Sequence, residues 1–329
     1  MKKVSVVLVV SLVIIVLLGS CKKKSDDFVL NIGYGGSLCE APIHIAYENG
    51  YFEEEGLKIE LIKLASGTAF DALTAGRIDA CFALLAAIIP PLSNGLPAKI
   101  TSGVHTGCDV TLVKPNSGIK KPEDLRGKKV GIPSMTASPA VFTKRVLADH
   151  GVDIRAESSE VEFIIYNQTD LPLILKNGDV DAIALNEPLS SIAANEYGYV
   201  ALMDSALDKP YGEQYCCVTY VSDRLVEKHK DIAEKYTRAV QRASAYVNGH
   251  QDEVTALQVD KKYVAGDPIV NAKVLKKFNY IPSVDGAYKQ FTLLAPQLQQ
   301  IGMVSKDIDV NVLQKNSFVF FKGLDEQYK

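Results

Sequence analysis

Tryptophan is absent from this 329-residue chain, so its core must be built from aliphatic residues, 15 Tyr and 11 Phe. A surplus of positive charge is absent too. The 36 Lys and Arg face 39 Asp and Glu, and a net charge of -3 lacks the global footprint of a nucleic-acid binder. No C-x-x-C pair occurs among the six cysteines, so spacing gives no zinc-finger site. With 47% hydrophobic and 23% charged residues, the composition excludes a disordered chain, a collagen-like repeat and a multi-span membrane protein. What is left is a globular protein. At about 150 residues per domain, its length points to two domains.

The most hydrophobic segment is too short to span a membrane. After Met1-Lys2-Lys3, residues 4–18 are apolar apart from Ser5 and Ser11. At about 1.5 Å per residue the run reaches roughly 22 Å, short of the hydrocarbon layer. A basic start, an apolar stretch and small residues make a signal peptide. Its end, Leu18-Gly19-Ser20-Cys21, resembles the lipobox of bacterial lipoproteins. The resemblance implies a signal peptide over 1–20, lipidation of Cys21 and a polar tether over 21–27. It also places the protein at the cell membrane, anchored by its N-terminal lipid on the extracytoplasmic face.

From Phe28 onward, strand-like apolar runs alternate with amphipathic helical stretches, giving a βαβαβ order and hence parallel strands covered by helices. The order recurs further along the chain. Thr68, a helical stretch, Gly76 and Asp79-Ala80 before an apolar run are matched by Thr169, a helical stretch, Gly178 and Asp181-Ala182. Such internal similarity predicts two α/β lobes of one design. Polar segments at 114–118 and 208–212 are the expected crossovers. Lobe 1 then covers 28–114 and 216–329, lobe 2 covers 115–215, and a cleft lies between them.

Three motifs carry a family resemblance. Ala41-Pro42-Ile43-His44-Ile45-Ala46-Tyr47-Glu48-Asn49-Gly50-Tyr51-Phe52 resembles the opening helix of the periplasmic binding proteins for nitrate, sulfonate and taurine. The segment from Ser117 through Pro122, Asp124-Leu125 and Gly127 to Val130 is similar to their approach to the second lobe, and Asn186-Glu187-Pro188 to their late cleft motif. The resemblance implies an α/β, two-lobed periplasmic-binding-protein fold of type II, with parallel-rich sheets and helices on both faces. It also implies a non-enzyme, expected to be monomeric, that captures a small-molecule ligand and hands it to an ABC transporter permease. No cofactor is required, and no nucleic-acid partner is expected.

In such a fold the site lies where strands end and helices begin. That rule brings together Ser37, Cys39 and Glu40, then Thr68, Cys81, His105 and Cys108, then Ser134, Thr136 and Ser138, and finally Asn186 and Glu187. The turn holding Ser134, Thr136 and Ser138 opens a helix, and in relatives it would cradle an anion; otherwise these hydroxyls only cap the helix. Cys216 and Cys217 fall where the chain re-enters lobe 1, and alternation along a strand predicts that only one faces the cleft. Cys216 is included in the expected site.

Five cysteines remain beyond Cys21, and three readings stay open. They fill core as small hydrophobes; or export allows a bridge, with Cys39–Cys108 the candidate; or Cys39, Cys81 and Cys108 converge as thiolates on a soft metal or an organometallic ligand. The loops assigned to the cleft contain no Arg or Lys, which weighs against an oxyanion. The loop Ser37-Leu38-Cys39-Glu40-Ala41-Pro42 also resembles a Cys-rich branch of these proteins, in which the Cys can be selenocysteine and for which organometallic uptake has been proposed. Alternatives are an organic solute, such as a sulfonate or thiamine-precursor-like molecule, with structural cysteines, or a thiol-dependent enzyme pairing Cys39 with His105 or Cys108 with Glu40. His44, inside the first helix, is expected to pack rather than bind.

Overall fold

A computed structural model describes residues 28–324. The expected signal peptide, Cys21 and the tether lie outside the described residues. Among the described residues, no helix is long and apolar enough to cross a membrane.

Two mixed sheets form the frame. The first has the order β11-β4-β10-β3-β1-β2 and the second β7-β6-β8-β5-β9. In the first sheet, β1 (Val29–Tyr34) pairs in parallel with β2 (Lys58–Lys63) and β3 (Ala80–Leu84). In the second, β6 (Lys129–Ile132) pairs in parallel with β7 (Glu162–Ile165) and β8 (Ala182–Asn186). These are the two βαβ units anticipated from the sequence. The remaining strands run antiparallel to their neighbours. They are β4 (Ala98–Thr106), β10 (Tyr215–Ser222) and β11 (Tyr280–Ser283) in the first sheet, and β5 (Asp109–Val113) and β9 (Val200–Asp204) in the second.

The repeated Asp-Ala has a structural cause. Asp79 accepts from the Asn31 amide at 3.1 Å while its own amide donates to the Asn31 carbonyl at 2.7 Å. Asp181 does the same with Lys129, at 2.9 and 2.8 Å. Each aspartate thus locks the start of its strand onto the neighbouring parallel strand and satisfies backbone groups at the sheet end.

The lobe boundary differs from the expected one. β5 was assigned to lobe 1 by a crossover at Lys114, but it pairs with β8 and β9 in the second sheet. The crossing is therefore the two-residue link Gly107-Cys108, between the ends of β4 and β5. No turn residues mark it beyond Gly107, and two β-branched apolar runs in succession read as one lobe. The consequence is large, because Cys108 becomes a hinge residue.

Packing follows strand alternation. In β8, Ala182 and Ala184 face one core of the second lobe while Ile183 and Leu185 face the other. In the first lobe the helix Lys230–Val247 buries Ile232, Tyr236, Ala239, Val240, Ala243 and Val247 and lies on the helix Ala41–Glu48. That apolar stripe at helical spacing is what holds the C-terminal part of the chain to lobe 1.

Candidate functional site: a thiol cluster between the lobes

Both crossings meet at one point. Gly107 has φ +66°, and a Cβ there would come within 2.4 Å of the Ala206 Cα on the return crossing. The amides of Cys108 and Asp109 both donate to Ser205 Oγ, each at 2.8 Å, which fixes Cys108 against that return. β10 then opens with Tyr215, and its pairing with β4 slips between Tyr215 and Cys217 and again between Cys217 and Val218. This bulge breaks the alternation of side chains. Cys216 Sγ therefore lies 2.9 Å, and Cys217 Sγ 3.8 Å, from Cys108 Sγ. Both sulfurs therefore meet Cys108, but only Cys217 lines the cavity, so the cleft-facing member of the pair is Cys217 and not the expected Cys216. All five cysteines are free, so the candidate Cys39–Cys108 bridge is not formed.

Cys39 enters from the short turn Leu38–Glu40, and His105 from β4. The donor atoms of Cys39, His105, Cys108 and Cys217 all lie within 4.8 Å of one another and are buried; Cys108, Asp109 and Cys216 form a second set sharing one thiol. Cys81 belongs to neither set. The expected trio of Cys39, Cys81 and Cys108 is thus corrected, with His105 and Cys217 in place of Cys81. The cause is register: Cys81 stands opposite Tyr220 of β10, three positions along from Cys217, or roughly 10 Å at strand rise.

His105 is posed as a ligand. Its Nδ1 donates to the Thr106 carbonyl at 3.0 Å, which leaves the buried Nε2 for the neighbouring Cys39 sulfur. Its ring stacks on Phe278 at 5.3 Å. Orientation of one ring nitrogen by a backbone carbonyl is the arrangement found behind metal-binding histidines.

Charge is shared between Cys216, whose thiol is held well below the usual range, and Cys39. Hydrogen bonds from Cys108 and Cys217 hold the Cys39 thiol well below it too, with His105 assisting. Cys108 is raised well above that range, chiefly by its hydrogen bonds with Cys216 and Cys217. For His105, burial opposes the imidazolium, but the neighbouring Cys39 sulfur favours it and wins. Burial pushes the Cys81 thiol up to about 12, so it stays protonated.

The cluster opens on a cavity of about 360 Å³ between the lobes, lined by Ser37, Cys39, Glu40, Cys81, Cys108, Thr136, Ser138, Asn186 and Glu187 among the expected residues. Much of the remaining wall is apolar, including Phe70, Phe82, Leu84 and Leu189. Four expected residues stand off this wall. His105 and Cys216 sit behind it in the two donor sets. The Thr68 hydroxyl turns back to the Ala65 carbonyl at 2.8 Å, and Ser134 faces Gly67 across the cleft. Lys63, Gln168 and Cys217 were not expected on the wall. Lys63 matters most, since it overturns the expected absence of a basic side chain; it lies at the end of β2, outside the loops considered.

Several polar groups are already engaged. Glu40 accepts from the amides of Gly35, Gly36 and Ser37 at 2.7, 2.8 and 2.9 Å, and burial with the Cys39 charge raises it to about 7. Glu187 caps the helix Leu189–Tyr197 through the Ser191 amide and hydroxyl at 3.1 and 2.9 Å. Ser138, at the start of the helix Ser138–Asp149, donates to Asp109 at 2.6 Å, so a carboxyl group of the protein itself takes the hydroxyl anticipated for an anion. Burial raises Asp109 well above the carboxylate range.

The lips are closed. The Leu38 amide donates to the Glu187 carbonyl at 3.1 Å, and Asn186 Nδ2 donates to Ser37 Oγ while its Oδ1 accepts from Gln168 at 2.6 Å. Two α/β lobes are thus closed over a buried site. Residues 23–259 match the model of the NMT1-like family. The chain belongs to that family. A Bacillus subtilis (strain 168) protein provisionally named as aliphatic sulfonates-binding is 26% identical, over 99% of this chain and 98% of its own. An Aspergillus parasiticus protein named 4-amino-5-hydroxymethyl-2-methylpyrimidine phosphate synthase is 24% identical over 77% and 76%. Among solved structures, the periplasmic nitrate-binding protein NrtA of Synechocystis PCC 6803 superposes with a TM-score of 0.76 at 15% identity, covering 91% of this chain and 88% of that one. This NMT1-like chain therefore has the periplasmic-binding-protein fold.

Proposed function

We propose that this NMT1-like protein is the solute receptor of an ABC importer. In this reading it is held outside the cytoplasm by lipid on Cys21, acts as a monomer, and captures a soft metal or organometal cation between its lobes. The observation that carries the ligand assignment is the convergence of three thiols and an imidazole in one buried cluster beside the cavity. Thiolate and imidazole donors select soft and borderline cations over hard ones. Closure of two lobes over a ligand suits a carrier that binds and then releases by hinge motion.

An organic solute or oxyanion, with the cysteines structural, is the second reading. The sulfonate and nitrate named for the relatives favour it, and Lys63 supplies one positive charge. Against it, Glu40 and Glu187 are buried acids on the cavity wall, and a desolvated anion beside them is disfavoured.

Native mass spectrometry of the anaerobically purified protein with one equivalent of cadmium(II) or methylmercury tests the assignment. A one-to-one adduct, lost in Cys39→Ser and His105→Ala but kept in Cys81→Ala, is expected. No adduct, with every thiol open to alkylation and tight binding of taurine instead, returns the protein to the organic-solute class. Catalytic release of a changed product would make Cys39 and His105 a nucleophile and base.

A further inference from the structure

Cys216, like Cys81, is a thiol that the proposed four-donor site does not use. It lies outside the four-donor set, yet its sulfur is 2.9 Å from that of Cys108, nearer than the 3.8 Å of the ligand thiol Cys217. A disulfide needs its sulfurs at about 2.05 Å, so under 1 Å of approach separates this pair from a bond. Both are free thiols, and they stand on the two segments that join the lobes: Cys108 on the outgoing crossing, Cys216 at the start of the returning strand. Cys108 lines the cavity and Cys216 is buried behind it. One sulfur is thus presented to a solute entering the cleft and the other is held in reserve.

We infer that Cys108 and Cys216 form a reversible disulfide that disables the thiol cluster and staples the two lobe crossings together. The oxidant is a small disulfide able to enter the cavity. Cys216 takes up the proton of the cavity-facing Cys108, 2.9 Å away, and passes it to the departing thiolate as Cys108 attacks one sulfur of the oxidant. This forms a mixed disulfide and releases the first thiol. Cys216 then attacks Cys108 Sγ, closing the protein disulfide and releasing the second thiol. The two protein sulfurs lose two electrons and the Cys108 proton; the two leaving groups take both electrons, the first with that proton and the second with one from water. Bonding Cys108 to Cys216 withdraws from the four-donor set its only member shared with the second set. The loss of ligand binding rests on the soft-cation reading above; the disulfide does not.

The experiment treats the reduced protein with 2-hydroxyethyl disulfide, maps its disulfides by peptide mass spectrometry, and titrates cadmium(II) before and after. The expected result is a Cys108–Cys216 cross-linked peptide, at least a tenfold loss of cadmium affinity, and recovery after reduction by a dithiol. Cys216→Ser and Cys216→Ala should bind cadmium like the reduced parent, and after the same oxidation they should carry half of the oxidant as a mixed disulfide on Cys108 in place of the internal cross-link. A map of the parent without the Cys108–Cys216 peptide overturns the inference, and so does one in which Cys108 is paired with Cys217 instead. If the cross-link forms but the reduced protein never binds cadmium, the disulfide stands and the soft-cation reading falls.

Discussion

His44 shows how a residue inside a family-like motif is used for packing. It is fully buried, stacks on Tyr263 at 4.2 Å and accepts from the Gln258 amide at 3.0 Å on Nδ1. Burial lowers its pKa to about 3. The unfolded imidazole takes up a proton below about 6.5 while the folded one does not, so stability is full above that pH and falls as pH drops toward 3. Between pH 6.5 and pH 5 this one group should remove about 2 kcal/mol. Urea melts at pH 7 and pH 5 measure the difference, and His44→Phe, which keeps a stacking ring, should narrow it. At the same scale Cys81 is a wall residue. Cys81→Ala should cost about 1 kcal/mol of stability and leave cadmium affinity within twofold by calorimetry.

The elements that were legible in the sequence are those with local periodicity. The two βαβ units rest on spacings of two and near 3.6 residues, which a chain displays without knowing its neighbours. The bulge at the head of β10 is different. It exists because Tyr215 packs against Gly103 and Gly286, whose added Cβ atoms would each come within 2.5 Å of its ring, and because β4 and β10 are held by distant parts of the chain. No local pattern announces it, and the bulge is what brings Cys216 and Cys217 to the same sulfur. The Gly107 link is the companion device. Gly107→Ala places a Cβ against Ala206 in a left-handed conformation, and it should destabilise the protein by about 1–3 kcal/mol in thermal melts. It should also weaken cadmium binding, because Cys108 must move with its neighbour.

For the whole molecule the question is how closure couples to binding. Asn186 and Ser37 are bonded across the cleft, and Gln168 orients the asparagine. Their hydrogen bonds exist only with the lobes together, so Asn186→Ala should leave the melting temperature nearly unchanged and act on closure. A lost hydrogen bond of about 1 kcal/mol corresponds to roughly fivefold weaker ligand binding. Calorimetry reads the affinity, and small-angle scattering should show a larger unliganded radius of gyration in the variant. Equal affinity and equal radius would mean that these lips do not control closure.

The sequence by itself determined the two-lobed α/β design, the repeated aspartate locks, and the loops that form the cleft, including all but one of the cluster's thiols. Those features follow from periodicity, turn chemistry and the rule that binding sites gather at strand ends. It left open how the cysteines pair off, and it set Cys81 in a cluster where His105 and Cys217 stand instead. Only the tertiary structure decided that. Strand register, a bulge imposed by an aromatic ring, and a crossing two residues long are set by contacts between segments far apart in the chain. A shift of one position along a strand turns a side chain to the other face. Which sulfurs meet is therefore a property of packing, and the chemistry of the site follows from it.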